Sequence, residues 1–444
     1  MKRNTGIHFY INIPNFDDVV ITEEEHTGKV NHSIHALDTF FSSIEQTSKN
    51  LVNNLTVEKV TGSRLHMYIE CDRGDISVFF KNIMTISLYT YHLSEYLIEE
   101  IGKYKILVQF DIQVGACFGL FYDFEFKNEE YTELTTIGYA SNYAAKLQSI
   151  SGNSQLSISE NIYQSLSKEQ KNIFRERHDK RIKKYDQEVY YYTKFEEITS
   201  SDDFSQSFER AKEYANRLNL SDIEFSKAKI PVSYKHLSRS ECKEVEGIPL
   251  FADVRDFTCQ FDSDDTNLEE MTNKTQNILT SMYSTIKNNN GIHVQFQGDR
   301  ELALFHNYGS YSCIEKAVIS GLRIIENIKE YGVCVGVGQA YGRLFATRIG
   351  ARGEKDNILL GKTVTQADKN EDEKADKNQL VISKEIYEKL KLSNDTLASL
   401  FTQKDEETYY TSLTYSIFKT RFEKEQLLKD KRSESYNGAW GQGC

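Results

Sequence analysis

The order strand, long helix, hairpin, long helix, glycine-spaced strand, helix, strand occurs twice along these 444 residues. A chain that repeats a unit of this size folds as two like bodies or as one body with internal symmetry. In the first pass, residues 7–13 alternate as a strand that Pro14-Asn15 breaks, and residues 33–54 carry Ile34, Leu37, Phe40, Phe41, Ile44 and Leu51 at helical spacing. Residues 57–60 and 66–69 read as a hairpin about Gly62-Ser63, and residues 75–102 as a second helix. A strand-rich stretch, 106–120, holds Gly115 and Gly119; residues 141–150 read as a helix and 189–192 as a closing strand. The second pass gives a strand at 250–254, a helix at 268–288, a hairpin at 293–305, a helix at 313–331, a glycine-spaced strand at 333–341 and a closing strand at 408–417. Between the passes, residues 200–246 are charged and expected to form a mostly helical linker; residues 368–378 are expected to be a solvated charged loop.

Net charge of -12 disfavours holding a nucleic-acid backbone over a broad surface, but leaves room for a basic pocket. The seven cysteines show neither a CxxC pair nor metal spacing, which suggests reduced thiols and a cytoplasmic protein. The N-terminus lacks the apolar stretch of a signal peptide, and no run reaches the roughly 20 apolar residues that span a bilayer.

Two carboxylates stand out. Asp253 ends the strand Leu250-Phe251-Ala252-Asp253-Val254, followed by Arg255-Asp256-Phe257-Thr258; Asp299 sits at the hairpin tip Gln297-Gly298-Asp299-Arg300. Carboxylates at the ends of neighbouring strands make a hard-oxygen site suited to Mg²⁺ or Mn²⁺, with substrate phosphates completing the shell. Superposing the repeats places Asn12 opposite Asp253 and Ser63 opposite Asp299, so the first half lacks both charges. Further on the contrast reverses. Asn142 and Lys146, at i and i+4, share one helix face in the first half, whereas the second half has Thr365 in place of Asn142. Each half keeps what the other has lost.

These segments resemble class III nucleotide cyclases, whose catalytic domains pair head to tail with the site at their interface. The resemblance spans roughly residues 5–195 and 247–418 and implies an α+β fold: two tandem ferredoxin-like domains, each an antiparallel-rich sheet covered by helices, in a pseudo-symmetric pair. Residues 1–199 would be a degenerate domain supplying base-reading and transition-state residues, 247–420 the metal-binding domain, and 421–444 a tail. Asp253 and Asp299 would hold two divalent cations, and Asn142 would orient the ribose. Lys146 would stand where the family has Arg, keeping the charge but losing the planar fork. Arg352, Lys183 or Lys184, and the backbone at Phe257-Thr258 would meet the phosphates.

In adenylate cyclases a Lys three residues before the hairpin Gly and an Asp seven before the Asn read adenine; here these are Lys59 and Thr135. A Lys with a hydroxyl suits a carbonyl-bearing pyrimidine, while adenine needs an acceptor for its exocyclic amine, which a Thr oxygen supplies only in part. The arrangement also resembles the pyrimidine cyclases of bacterial antiphage (Pycsar) systems. That resemblance implies conversion of UTP or CTP to the 3′,5′-cyclic monophosphate and diphosphate, with a separate effector reading the product. An adenylate cyclase and a non-catalytic nucleotide-binding regulator are the alternatives. A single site per chain follows, since the mirror-image pocket would join Asn12 and Ser63 to Thr365.

Overall fold

The computed structural model describes residues 2–101, 110–127, 132–198, 205–206, 208–210, 212–213, 223–238, 241–256, 268–350 and 356–424. The first sheet contains β1 (Lys2–Asn12), β2 (Leu55–Thr61), β3 (Arg64–Glu70), β4 (Gln113–Lys127), β5 (Thr132–Ile137), β6 (Gln155–Ile158), β7 (Arg175–His178) and β8 (Val189–Lys194). Its order is β2-β3-β1-β4-β6-β8-β7, with β5 paired to β4. Helices α1 (Phe16–Thr27), α2 (Asn31–Leu51), α3 (Ile76–Ile101) and α4 (Tyr139–Ile150) accompany it.

Alternation along β1 divides the structure into layers. Ile7, Phe9 and Ile11 enter the core formed with α2 and α3. Tyr10 instead packs against Tyr143, Ala144 and Leu147 of α4 on the opposite face. Helix α1 was not apparent in the sequence, because only Phe16, Val19, Val20 and Glu23 of its twelve residues are buried.

The second sheet repeats the pattern with β9 (Glu224–Lys227), β10 (Glu241–Arg255), β11 (Ile292–Gln297), β12 (Arg300–His306), β13 (Cys334–Gln339), β14 (Gly342–Ile349), β15 (Asp356–Leu360), β16 (Gln379–Ser383), β17 (Thr402–Gln403) and β18 (Thr408–Thr411). The order β11-β12-β10-β13-β16-β18-β17 matches the first sheet strand for strand, and β14 and β15 extend it as the far end of β4 and β5 extend the other. Helices Leu268–Asn288 and Ile314–Lys329 bury Ile278, Leu279, Val318 and Ile325 against Leu250, Ala252 and Val254 of β10.

Each half reaches into the other. Phe345, Ile349, Ile358 and Leu360 of β14 and β15 belong to the first core, and Tyr122, Phe124, Phe126 and Ile137 of β4 and β5 belong to the second. Two glycines set the fit of helix on sheet. A Cβ on Gly115 would lie 2.1 Å from Gln148 N and 2.5 Å from Ala144 O of α4; one on Gly338 would lie 2.3 Å from Glu371 N and 2.5 Å from Ala367 O. Only glycine allows this backbone approach.

Three expectations are corrected. The closing strand ends at Thr411, and residues 415–424 are helical. The stretch before residue 247 contains β9 and the start of β10, so it is part of the second sheet as well as a connection. Residues 368–378 are not a solvated loop: Asp368 and Lys369 end the helix Lys362–Lys369, Asn370–Lys374 form a π-helical turn, and Glu371 is 1% exposed. Arg255 and Arg300 draw that carboxylate inward.

Candidate active site

Asp253 lies in register opposite Arg300 on one side and Gly336 on the other, which brings the end of β10 beside the β11–β12 hairpin tip that carries Asp299. Arg255 Nη1 donates to Asp253 Oδ2 at 2.9 Å and its Nη2 meets Glu371 Oε1 at 2.5 Å. Arg300 meets Glu371 Oε2 at 2.5 Å and Asp368 at 2.6 Å, with its guanidinium 4.3 Å over the Phe251 ring. Burial raises the Asp253 carboxyl above its usual range against the pull of Arg300 and Arg255. Burial, reinforced by the neighbouring Asp253 charge, pushes Asp299 well above its usual range. Glu371 is pushed up to about 7, chiefly by burial.

A site with that much confined negative charge suits a cation. Among the described residues no group of three or more His, Cys, Asp or Glu side chains is arranged to hold a metal ion. Asp253 and Asp299 are two neighbouring carboxylates, an oxygen donor set to which a divalent ion such as Mg²⁺ would add water or a phosphorylated ligand. The equivalent positions of the first half need no ion, because Ser63 Oγ donates to Asn12 Oδ1 at 3.0 Å.

Lys59, which is 4% exposed, is not the exposed strand residue its neighbours in sequence suggest. Its ammonium donates to Glu133 Oε1 at 2.5 Å and, across the interface, to Phe296 O at 2.8 Å. Glu133 also accepts from Phe296 N at 3.1 Å. The second half answers symmetrically: Asp356 Oδ2 accepts from Val60 N at 2.6 Å. Glu133 is held near 2, with the Lys59 charge the largest influence opposing burial. Asp356 is pushed up to about 8 by burial, which outweighs the Val60 N–H and the more weakly felt Lys59 charge.

Thr135 is 1% exposed and belongs to a cluster centred on Glu58. Glu58 accepts from Thr136 Oγ1 at 2.5 Å, Thr136 N at 3.1 Å, His66 Nδ1 at 2.9 Å and Thr135 Oγ1 at 3.4 Å. Beyond it, His66 Nε2 and His8 Nδ1 are 2.9 Å apart, and the Tyr10 ring stacks on His66 at 3.9 Å. Glu58 points inward beside Lys59 because the β2–β3 pairing shifts register between Val57 and Lys59, a bulge that breaks strict alternation. The same irregularity recurs between His293 and Gln295.

Asn142 and Lys146 occupy successive turns of α4, both half-buried, as their spacing requires. The Tyr185 hydroxyl donates to Asn142 O at 3.2 Å, and the Lys146 charge helps lower Asp179. Lys183 is exposed and pairs with Glu188 at 3.4 Å. Nothing is described of the Lys184 side chain, and Phe257, Thr258, Arg352 and the tail from Asp430 lie outside the described residues. Arg255, Glu371, Glu58 and Glu133 were not singled out from sequence; the one available signal for Arg255, Glu58 and Glu133 was adjacency to Asp253, Lys59 and Thr135, and Glu371 had none.

The mirror-image position is a cavity of about 150 Å³ between the halves. Ser63 and Arg64 line it from one side and Gln295, Arg300, Thr365 and Asp368 from the other. Asp17 from α1 hydrogen-bonds Thr365 there, so this pocket is a second junction of the same kind without the carboxylate pair.

No protein-family model and no curated protein matches the sequence. Among solved structures, a class III adenylyl cyclase-like ATP-binding protein from Pseudomonas aeruginosa is similar over 95% of this chain and 90% of its own, at 18% identity and a TM-score of 0.73. The adenylyl cyclase CyaB from P. aeruginosa aligns with 38% of this chain and 94% of its own, at 18% identity and a TM-score of 0.33. The guanylate cyclase domain of RhGC from Catenaria anguillulae, solved with GTP, aligns with 38% of this chain and 96% of its own, at 22% identity and a TM-score of 0.32. Two like sheets, joined by reciprocal contacts and overlaid almost end to end by the first of these structures, give this chain the fold of a class III adenylyl cyclase-like protein.

Proposed function

We propose that this chain is a nucleotide cyclase with one site between its halves, converting a nucleoside triphosphate to the 3′,5′-cyclic monophosphate and diphosphate. The observation that carries this reading is the complementary division of parts. Asp253 and Asp299 lie side by side in the second half, Lys59 of the first half reaches Phe296 on the hairpin that carries Asp299, and Ser63 and Asn12, the equivalents of the aspartates, satisfy each other. Two divalent cations, Mn²⁺ or Mg²⁺, held by Asp253 and Asp299 would supply Lewis-acid stabilisation of charge at the α-phosphate. Arg255 and Arg300 offset the charge of the flanking Glu371, and Arg255 also pairs with Asp253, so a bound cation would compete with Arg255 for that carboxylate. Asn142 orients the ribose, and Lys146 places a positive charge one turn further along α4. The two-domain division of labour, residues 1–199 against 247–420 with a connection between, belongs to the same proposal, as do the phosphate roles of Arg352, Lys183, Lys184, Phe257 and Thr258. The pyrimidine preference, the cytoplasmic setting, and service as signal generator for a separate effector in antiphage defence are parts of it that rest on the sequence resemblance.

A second reading is a nucleotide-binding protein that does not turn its ligand over. It is favoured by the ion pair between Arg255 and Asp253, which already neutralises one of the two aspartates. The similar protein from P. aeruginosa is likewise described as ATP-binding. Incubation with ATP, GTP, CTP and UTP and either metal, with products identified by mass spectrometry, separates the two. A cyclic nucleotide that disappears in Asp253→Ala supports the cyclase; triphosphate binding without product from any of the four supports the regulator.

A further inference from the structure

We propose that Glu58 is a positioning residue that turns Thr135 into a hydrogen-bond acceptor, and thereby selects a base whose exocyclic group is an amine: adenine or cytosine over uracil or guanine. The inference rests on the cyclase reading for the pose in which Lys59 faces the base ring and Thr135 its exocyclic group.

A threonine hydroxyl can both donate and accept, so by itself it does not tell an amine from a carbonyl. Thr135 has no such freedom. Its Oγ1 lies 3.4 Å from Glu58 Oε1, and the other neighbours of Glu58 are also donors: Thr136 N, Thr136 Oγ1 and His66 Nδ1. His66 Nδ1–H is given to Glu58, so the chain of contacts from His8 through His66 ends on the carboxylate. Glu58 is almost fully enclosed, and against the upward push of burial its carboxyl is lowered to about 2, by His66 foremost. An ionised carboxylate accepts only. The Thr135 proton is therefore directed at Glu58, and its lone pairs are what remain for a ligand. Lys59 has the opposite fixed sense. Two of its three N–H groups are taken by Glu133 and Phe296 O, and the third can only donate. A donor beside an acceptor matches N1 and the 6-amine of adenine, or N3 and the 4-amine of cytosine. The carbonyl of uracil or guanine at the same place would set lone pairs against lone pairs in a buried site. This changes the balance of the sequence reading, in which a hydroxyl counted against adenine and left uracil and cytosine level.

The test is a base-preference series on the full chain: wild type, Glu58→Gln, Thr135→Val and the double variant Glu58→Gln/Thr135→Asp. It uses kcat/KM for the four triphosphates and, in parallel, equilibrium binding of their non-hydrolysable α,β-methylene analogues. Wild type should favour the adenine or cytosine nucleotide over uracil and guanine by about tenfold or more in at least one measure. Whichever of the two leads identifies the purine or the pyrimidine source. Glu58→Gln should collapse that ratio, because its amide can donate as well as accept. Adding Thr135→Asp, a permanent acceptor, should restore the ratio while Glu58 stays absent, an outcome a merely structural role would not give. A wild type that prefers UTP or GTP, a ratio unmoved by Glu58→Gln, or no binding of any analogue overturns the proposal. Amine-selective binding without cyclic product upholds it and overturns the cyclase reading instead.

Discussion

Lys59 and Glu133 show how a single buried ion pair joins two halves of a chain. The pair is closed by Phe296, which gives its carbonyl to Lys59 and its N–H to Glu133, so removing either side chain strands the other in a dry interface. Glu133→Ala is expected to destabilise the protein by roughly 3–5 kcal/mol in urea unfolding, the range for breaking a buried pair. Its counterpart across the pseudo-twofold behaves oppositely with pH. Glu133 sits near 2 against an ordinary 4.5, so its contribution is complete above about 4.5 and lost as pH falls toward 2. Asp356 sits near 8 against an ordinary 3.8, so the folded state holds a proton the unfolded chain has released, and its contribution declines as pH rises from about 4 to 8. Asp356→Asn keeps an acceptor for Val60 N and removes that decline. Its Tm should exceed that of wild type at pH 8.5 and come close to it at pH 5, with each unit of relieved shift worth up to about 1.4 kcal/mol. Equal differences at both pH values would contradict this assignment. At this scale the sequence singled out Asp253 and Asp299, because each lies in a contiguous strand-and-turn signature, and the structure sets them side by side. It did not reveal Glu58 or Glu133, whose inward course depends on a bulge and on a contact across the interface that no local pattern records.

Among the elements, the decisive contact is helix backbone on strand backbone. Gly115 seats α4, which carries Asn142 and Lys146, while Gly338 seats the helical run that carries Glu371. Gly115→Ala must push α4 away from β4, costing about 1–3 kcal/mol and, on the cyclase proposal, moving Asn142 and Lys146 from where a nucleotide would sit. Turnover should fall by at least about a hundredfold, since roughly an ångström of misplacement suffices for that, while Asp253 and Asp299 keep their affinity for Mn²⁺. Loss of Mn²⁺ binding in parallel would mean that the two sides are not separable in this way. The glycines were visible as a spaced strand pattern, and α2, α3 and the helix Leu268–Asn288 were legible from apolar spacing. Residues 368–378 were misread because Glu371, and Asp368 in part, turn onto Arg255 and Arg300 while their charged neighbours stay in solvent, and composition alone does not separate the two. Helix α1 escaped because an acidic helix that buries four residues has too narrow an apolar stripe to announce itself.

Over the whole molecule, the exchanged arms outweigh any one contact. β4 and β5 place Phe124, Phe126 and Ile137 in the second core; β14 and β15 place Phe345, Ile349 and Ile358 in the first. Produced as separate chains in one cell, residues 1–222 and 223–444 should co-purify as a one-to-one complex, and either half alone should be insoluble or self-associated, as size-exclusion chromatography would show. A soluble monomeric half would refute that interdependence. The duplicated order of elements was plain in the sequence; the exchange was not, because period and polarity say which residues are buried but not under whose roof. The exchange also bears on descent. On the cyclase proposal, a half with Asn12 and Ser63 in place of carboxylates would ordinarily be free to erode, yet its arm packs in the second core and its sheet shelters its partner's arm. Selection on one pocket thus conserves the scaffold of the other, and the two halves are bound to drift as a couple, each accepting only those changes its companion can absorb.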